Sequence, residues 1–127
     1  PDMIIAIDAL CARDAARLCK TVQLCTAGIS PGAGIGNFRS RLSHENIGVP
    51  VIGVGVPTVI EGRTLVLDAL GDVADKSGKE SAGERMAGLF VSPKNIDRSV
   101  EILSRVLSYA VNTAFQEGLS AEEIALM

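Results

Sequence analysis

The apolar positions of the chain fall into runs with different periods. Met3-Ile4-Ile5-Ala6-Ile7 is short and continuous, and Asp8 closes it. Such a run reads as a strand buried on both faces, the kind found in parallel sheets. An ionised carboxylate is costly to bury without partners, so the pattern predicts Asp8 at the strand's end. Leu10, Asp14, Arg17 and Leu18 fall at helical offsets, which predicts a helix over Ala9 to Lys20. Asp8 or Ala9 then stands at the helix N-terminus, where backbone N–H groups and the dipole favour negative charge. Thr21 to Thr26 alternates polar and apolar residues and predicts a second strand. Val49 to Pro57 is the most strongly apolar β run. Its Gly53 and Gly55 are two apart, so they share a face on which a helix or a glycine-loop backbone packs closely.

A helical period returns at Val59, Arg63, Val66, Leu67, Leu70, Val73 and Ala74, which predicts a helix within Thr58 to Lys76 with Gly62 as its weak point. Asp68, Asp72 and Asp75 then form a solvated stripe. Lys76 to Gly88 is polar and glycine-rich and reads as a mobile loop. Leu89-Phe90-Val91 reads as a short strand. Ser92-Pro93 opens a helix whose apolar stripe runs through Ile96, Val100, Leu103, Leu107 and Val111 to Phe115, with Gly118 as the stop. Ser120 to Glu123 spells a capping box for a terminal helix. The order β-α-β-loop-β-α-β-α predicts an α/β fold with a largely parallel sheet and helices on both faces, a three-layer αβα sandwich.

Between the second strand and the apolar β run lies Ala27 to Arg41. Gly28, Gly32, Gly34 and Gly36 make it a loop whose backbone can approach a ligand or another chain closely. Gly32-Ala33-Gly34-Ile35-Gly36 has one residue between its second and third glycines where a dinucleotide fingerprint has two, and no Gly-Lys-Ser/Thr follows. Two uses stay open: holding an anion or a substrate with backbone groups, or packing under the sheet edge. Asn37, Arg39 and Arg41 end the loop with polar and basic groups. Arg17 reads as part of a solvated helix face, and Arg13 either as the same or as a local ion-pair partner of Asp14. His44 sits in a polar turn after Ser43 and reads as a surface residue.

Composition narrows the classes. The 127 residues are 47% apolar, with only 3% aromatic and no Trp. That fits one α/β domain over 1–127 with a core of Ala, Val, Ile and Leu. The net charge of −3 and the lack of a basic run give no case for nucleic acid or an anionic membrane. No apolar stretch has the length needed to span a bilayer. Cys11, Cys19 and Cys25 form no CxxC, so neither a metal site nor a disulfide framework is supported, and a reducing compartment is the simpler reading. Nothing calls for a cofactor. The chain opens at Pro1-Asp2, directly against its first strand, which points to a piece of a longer protein.

Three segments in order carry a family likeness: Ile5-Ala6-Ile7-Asp8-Ala9-Leu10, then Thr26 to Asn37, then Gly48 to Val59. With Val91 to Asp97 they resemble the germination (spore) protease family over nearly the whole chain. The resemblance implies an endopeptidase made as a zymogen, which degrades small acid-soluble spore proteins during germination. It implies an aspartic mechanism with two aspartates, of which Asp8 is one, and a homotetramer in the cytoplasm of the spore core. The second aspartate belongs to the family's N-terminal half, so 1–127 would be the C-terminal portion of the enzyme. The implied fold is similar to that of hydrogenase-maturation peptidases, with phosphorylase/hydrolase-like layers. Ser30 stands where many members carry His. Gly32, Gly34, Gly36, Asn37 and Arg39 are the candidate substrate-binding residues. The alternative is a doubly wound module that binds a small anion or nucleotide through the Gly28–Gly36 loop.

Amide hydrolysis by carboxylates needs two of them, one ionised to activate water and one protonated to polarise the carbonyl. No motif places Asp14, Asp68, Asp72 or Asp75 as the second. The expectation is a chain that is inactive alone.

Overall fold

The computed structural model describes residues 1–126 except Phe38 and Ala74. Two expectations touch the excluded positions: the loop reading at Phe38 and the helical period at Ala74 lie outside the described residues. The chain forms two compact units, Pro1–Pro93 and Lys94–Met127.

In the first unit, the apolar run after Val49 forms the longest strand. We label the strands β1 (Ile4–Ala12), β2 (Gln23–Cys25), β3 (Val51–Glu61) and β4 (Phe90–Val91). β1 runs parallel to β3 along one edge, and Asp8 sits opposite Gly55. β2 and β4 both pair antiparallel with β3, at Gly53–Gly55 and at Ile60–Glu61. The result is a mixed α/β structure with an open sheet whose one extended pairing is parallel. β3 is its spine: Val51, Val54, Val56 and Ile60 are buried, and with Ala12 they form the core of this unit.

β1 is longer than its apolar run implies. It continues through Ala9–Ala12, and the helix expected there is a single 3-10 turn at Ala15–Arg17. The long apolar β3 offers ladder positions as far as Ile60, and pairing with it overrides the helix propensity of Ala and Leu. A bulge lies where Leu10 pairs with Pro57 and Cys11 with Val59. Pro57 has no N–H to give the ladder, so an irregularity beside it is expected. Its carbonyl accepts the Cys19 N–H at 2.7 Å and pins the end of the 3-10 segment back onto β3.

The helices of this unit are α1 (His44–Ile47), α2 (Gly62–Leu70) and α3 (Lys76–Arg85). α2 begins four residues later than the start of the Thr58–Lys76 window because β3 holds Thr58–Glu61. Gly62 starts the helix and is buried; a Cβ there would lie 2.8 Å from the Met86 carbonyl oxygen. The expected mobile loop over Lys76 to Gly88 is instead mostly helix. Asp75 caps it by accepting from the Gly78 N–H at 3.4 Å. Gly83 lets α3 close on α2, with Arg63 Cγ 3.1 Å and Leu67 Cδ2 3.5 Å from where its Cβ would be. Arg63 also pairs with Glu84 at 2.6 Å, an exposed ion pair of small energetic weight.

The second unit is α4 (Ile96–Phe115) followed by α5 (Ala121–Ala125). The helix opened by Ser92-Pro93 starts later than expected, with Asn95 at the N-cap. α5 has the capping box read from the sequence: Ser120 accepts from the Glu123 N–H, and Glu123 accepts from the Ser120 N–H. Among the described residues no helix is long and apolar enough to cross a membrane.

Candidate functional site

Asp8 is the middle residue of β1, not its last. A carboxylate is tolerated in that place for a local reason. Its neighbour across the ladder is Gly55, which has no side chain, and Asp8 is only half-buried at the wall of an open cleft. The cleft encloses about 790 Å³. Asp8 is the one carboxylate among the described residues that line it.

Glycines shape much of the rest of the cleft. Gly53 and Gly55 of β3 share the cleft face, as their spacing predicts. A Cβ on Gly53 would stand 3.2 Å from the Gly28 carbonyl oxygen and 3.3 Å from Ile29 Cβ, so the loop backbone lies against the sheet here. A Cβ on Gly55 would run into the Leu10 side chain. The loop's base is closed by Ile29 and Leu42, which exchange N–H···O bonds of 2.9 and 2.8 Å. Its tip is a 3-10 turn at Ala33–Ile35 between Gly32 and Gly36, both at φ +74°. The Asn37 N–H returns to the Gly32 carbonyl at 3.0 Å and locks the tip. Arg41 braces the loop by donating to the Ala27 carbonyl at 2.8 Å. Gly34 lies against β1, 2.8 Å separating its would-be Cβ from Cys11 Cβ.

Of the residues singled out in the sequence, Asp8, Gly32 and Gly34 line one cleft, with Gly28 and Ser30 beside them. Gly36, Asn37 and Arg39 are exposed and do not line it. The cleft also holds Arg13 and Arg17, expected on a solvated helix face, together with Cys11, Cys25 and Thr64. The signal for Arg13 lay in the length of β1: a strand continued to Ala12 puts it at the end of the same edge. The turn that carries Arg17 is fixed by two aspartates. Asp14 accepts from the Ala16 N–H at 2.6 Å, and Asp68 of α2 accepts from the Ala15 N–H at 3.1 Å. Asp68 thus has a structural bond, not only a place on a solvated stripe.

Away from the cleft, Ser43 is buried and donates its hydroxyl to Glu45 at 2.7 Å. That bond holds the Glu45 carboxyl below its ordinary value of 4.5. Ser43 stands at the N-cap of α1 without a side-chain capping bond. No cluster of His, Cys, Asp and Glu among the described residues is arranged to hold a metal ion.

The first unit is thus a mixed α/β structure in which a strand-borne carboxylate faces a glycine loop. The family model described as germination protease matches residues 1–87, and the chain belongs to that family. A germination protease of Clostridium tetani is 37% identical, covering 98% of this chain and 46% of its own length. That of Clostridium perfringens is 35% identical with the same coverage. That of Bacillus pumilus is 46% identical over 67% of this chain and 23% of its own length. The chain spans about half the length of the clostridial relatives it matches.

Proposed function

We propose that the chain is the C-terminal portion of a spore-germination endopeptidase that degrades small acid-soluble spore proteins. The observation that carries this reading is the single carboxylate, Asp8, set in a cleft walled by the backbone of a glycine loop. One carboxylate is half of an acid–base pair. Ionised, it takes a proton from water; a second, protonated, polarises the scissile carbonyl or protonates the leaving amine. Two carboxylates close together split their pKa values because both cannot ionise cheaply. We assign the second carboxylate to the remainder of the longer protein. Backbone N–H groups of Gly32 and Gly34, which line the same cleft, would hydrogen-bond an extended substrate or a developing oxyanion beside Asp8. Asn37 and Arg39 would act farther out, on substrate side chains. The same reading takes the full enzyme to be a zymogen-derived homotetramer in the spore core, its layers resembling those of hydrogenase-maturation peptidases.

The test is cleavage of a small acid-soluble spore protein by this chain alone. The reading predicts no turnover, and steady hydrolysis would contradict it.

A second reading draws on Arg13 and Arg17, two guanidiniums in a cleft with a glycine loop, which suit a small anion. A rise in melting temperature with phosphate or nucleotide, unchanged by Asp8→Asn, would favour that reading.

A further inference from the structure

In the sheet, β3 lies between β1 and β2. Its Gly55 pairs with Asp8 of β1 on one side and with Gln23 of β2 on the other. Residues directly opposite one another project from the same face of a sheet. Asp8 and Gln23 therefore stand in one row across β3, and the position between them has no side chain of its own. All three residues line the cleft. Neighbouring strands are about 4.8 Å apart, so the Asp8 and Gln23 backbones are separated by about 10 Å. Leu10 leans over Gly55, where its side chain fills the place of a Cβ, and gives the gap an apolar floor. One row away, at Gly53, the Gly28 carbonyl and Ile29 lie on the sheet, so the glycine loop borders this trough.

That spacing suits an attack by water on a peptide bond. A carboxylate, a water molecule, a carbonyl group and an amide donor, set in a row at hydrogen-bond and near-attack distances, span about 9 to 10 Å. Gln23 is exposed on the cleft wall, and a carboxamide carries two N–H donors. We propose that Gln23 is a catalytic residue of the endopeptidase, donating its carboxamide N–H to the scissile carbonyl oxygen across the cleft from Asp8. The proposal rests on the reading of Asp8 as the ionised carboxylate of the pair. As the water oxygen bonds to the carbonyl carbon, Asp8 takes a proton from the water and the carbonyl π pair moves onto oxygen. Gln23 holds that oxyanion by a hydrogen bond and gives up no proton. When the pair returns, the C–N bond breaks and the amine leaves with the proton of the second acid. Asp8 then passes its proton back to the second carboxylate. Pairing with Gly55 fixes the stem of the donor, and the apolar floor at Leu10 limits competing water, so the bond counts for more than it would in open solvent.

The test measures turnover of a small acid-soluble spore protein by the full-length enzyme that contains this chain, with Gln23→Met and Gln23→Glu beside the parent and Asp8→Asn. Both Gln23 substitutions keep the length of the side chain. Gln23→Met should lower kcat about a hundredfold with KM within about threefold of the parent, as for removal of one oxyanion donor. Gln23→Glu should lose more, because its carboxylate opposes the developing oxyanion. A side chain that only shapes the strand would give the other order, since Glu copies the form of Gln more closely than Met does. The melting temperature of each variant reports whether it folds. A kcat for folded Gln23→Met within about threefold of the parent would overturn the proposal, and so would a loss confined to KM. A Gln23→Glu enzyme faster than Gln23→Met would overturn it too. Should Gln23→Met not fold, Gln23→Glu decides: a kcat near the parent overturns the proposal, and a loss of about a hundredfold or more supports it. Asp8→Asn at the parent rate would reject the reading of Asp8 and the proposal with it. Inactive Asp8→Asn beside fully active Gln23 variants would reject the proposal alone.

Discussion

Asp8 owes its setting to glycine. Gly55 opposite it leaves the carboxylate open to the cleft, and Gly28 and Gly53 let the loop lie against the sheet. These glycines are not equivalent, and their differences can be measured. Gly28 has φ +84°, and a Cβ there would strike the Leu42 carbonyl oxygen. Neither the backbone conformation nor the neighbour can yield cheaply. Gly28→Ala should destabilise the protein by about 3 kcal/mol through strain and overpacking together. Gly36 has φ +74° but open space around it. Gly36→Ala should cost about 1 kcal/mol, the left-handed backbone penalty alone. Urea denaturation of the two variants checks the difference; equal losses would mean that the loop does not press on Leu42.

At the scale of elements, the 3-10 turn at Ala15–Arg17 depends on side chains from two places. Asp68→Ala removes the acceptor of the Ala15 N–H and should cost about 1 kcal/mol, like the loss of a helix cap, as read from the shift in urea midpoint. The capping box of α5 predicts a pH effect. Its backbone bond from Ser120 holds the Glu123 carboxyl below 4.5, so the carboxylate's contribution is present above 4.5 and fades as pH falls through the lowered value. Ser120 and Glu123 amide signals should therefore shift in acid, and in Glu123→Gln they should not. NMR titration of the two proteins checks this.

The elements also show where the sequence was readable. The capping box, the apolar spine of β3 and the close packing at Gly53 and Gly55 follow from local chemistry, and so they were legible. The length of β1 was not, because Ala9–Ala12 are paired by a strand some fifty residues away and their own propensity says helix. Misplacing that boundary put Asp8 at a strand end and hid Arg13 and Arg17 from the cleft. α3 was missed for a similar reason: its polar sequence has no apolar stripe, and the cap at Asp75 with the contact of Gly83 on α2 makes the helix. In the candidate site, the carboxylate and the glycines stand out as residue types, whereas the grouping of Gly32 and Gly34 with Asp8, apart from Gly36, depends on how the loop tip folds.

At the scale of the whole molecule, a carboxylate in a cleft is not yet a peptidase. In the proposed mechanism Asp8 activates water only beside a second acid, which we assign to the remainder of the longer protein. The most direct measurement is the turnover of a small acid-soluble spore protein by the assembled enzyme, this chain joined by the remaining portion, with Asp8 and with Asp8→Asn. The proposed mechanism requires at least about a thousandfold loss of kcat for Asp8→Asn with an unchanged melting temperature, as expected for removal of a proton-transfer group. An Asp8→Asn enzyme that cleaves at the parent rate would contradict it.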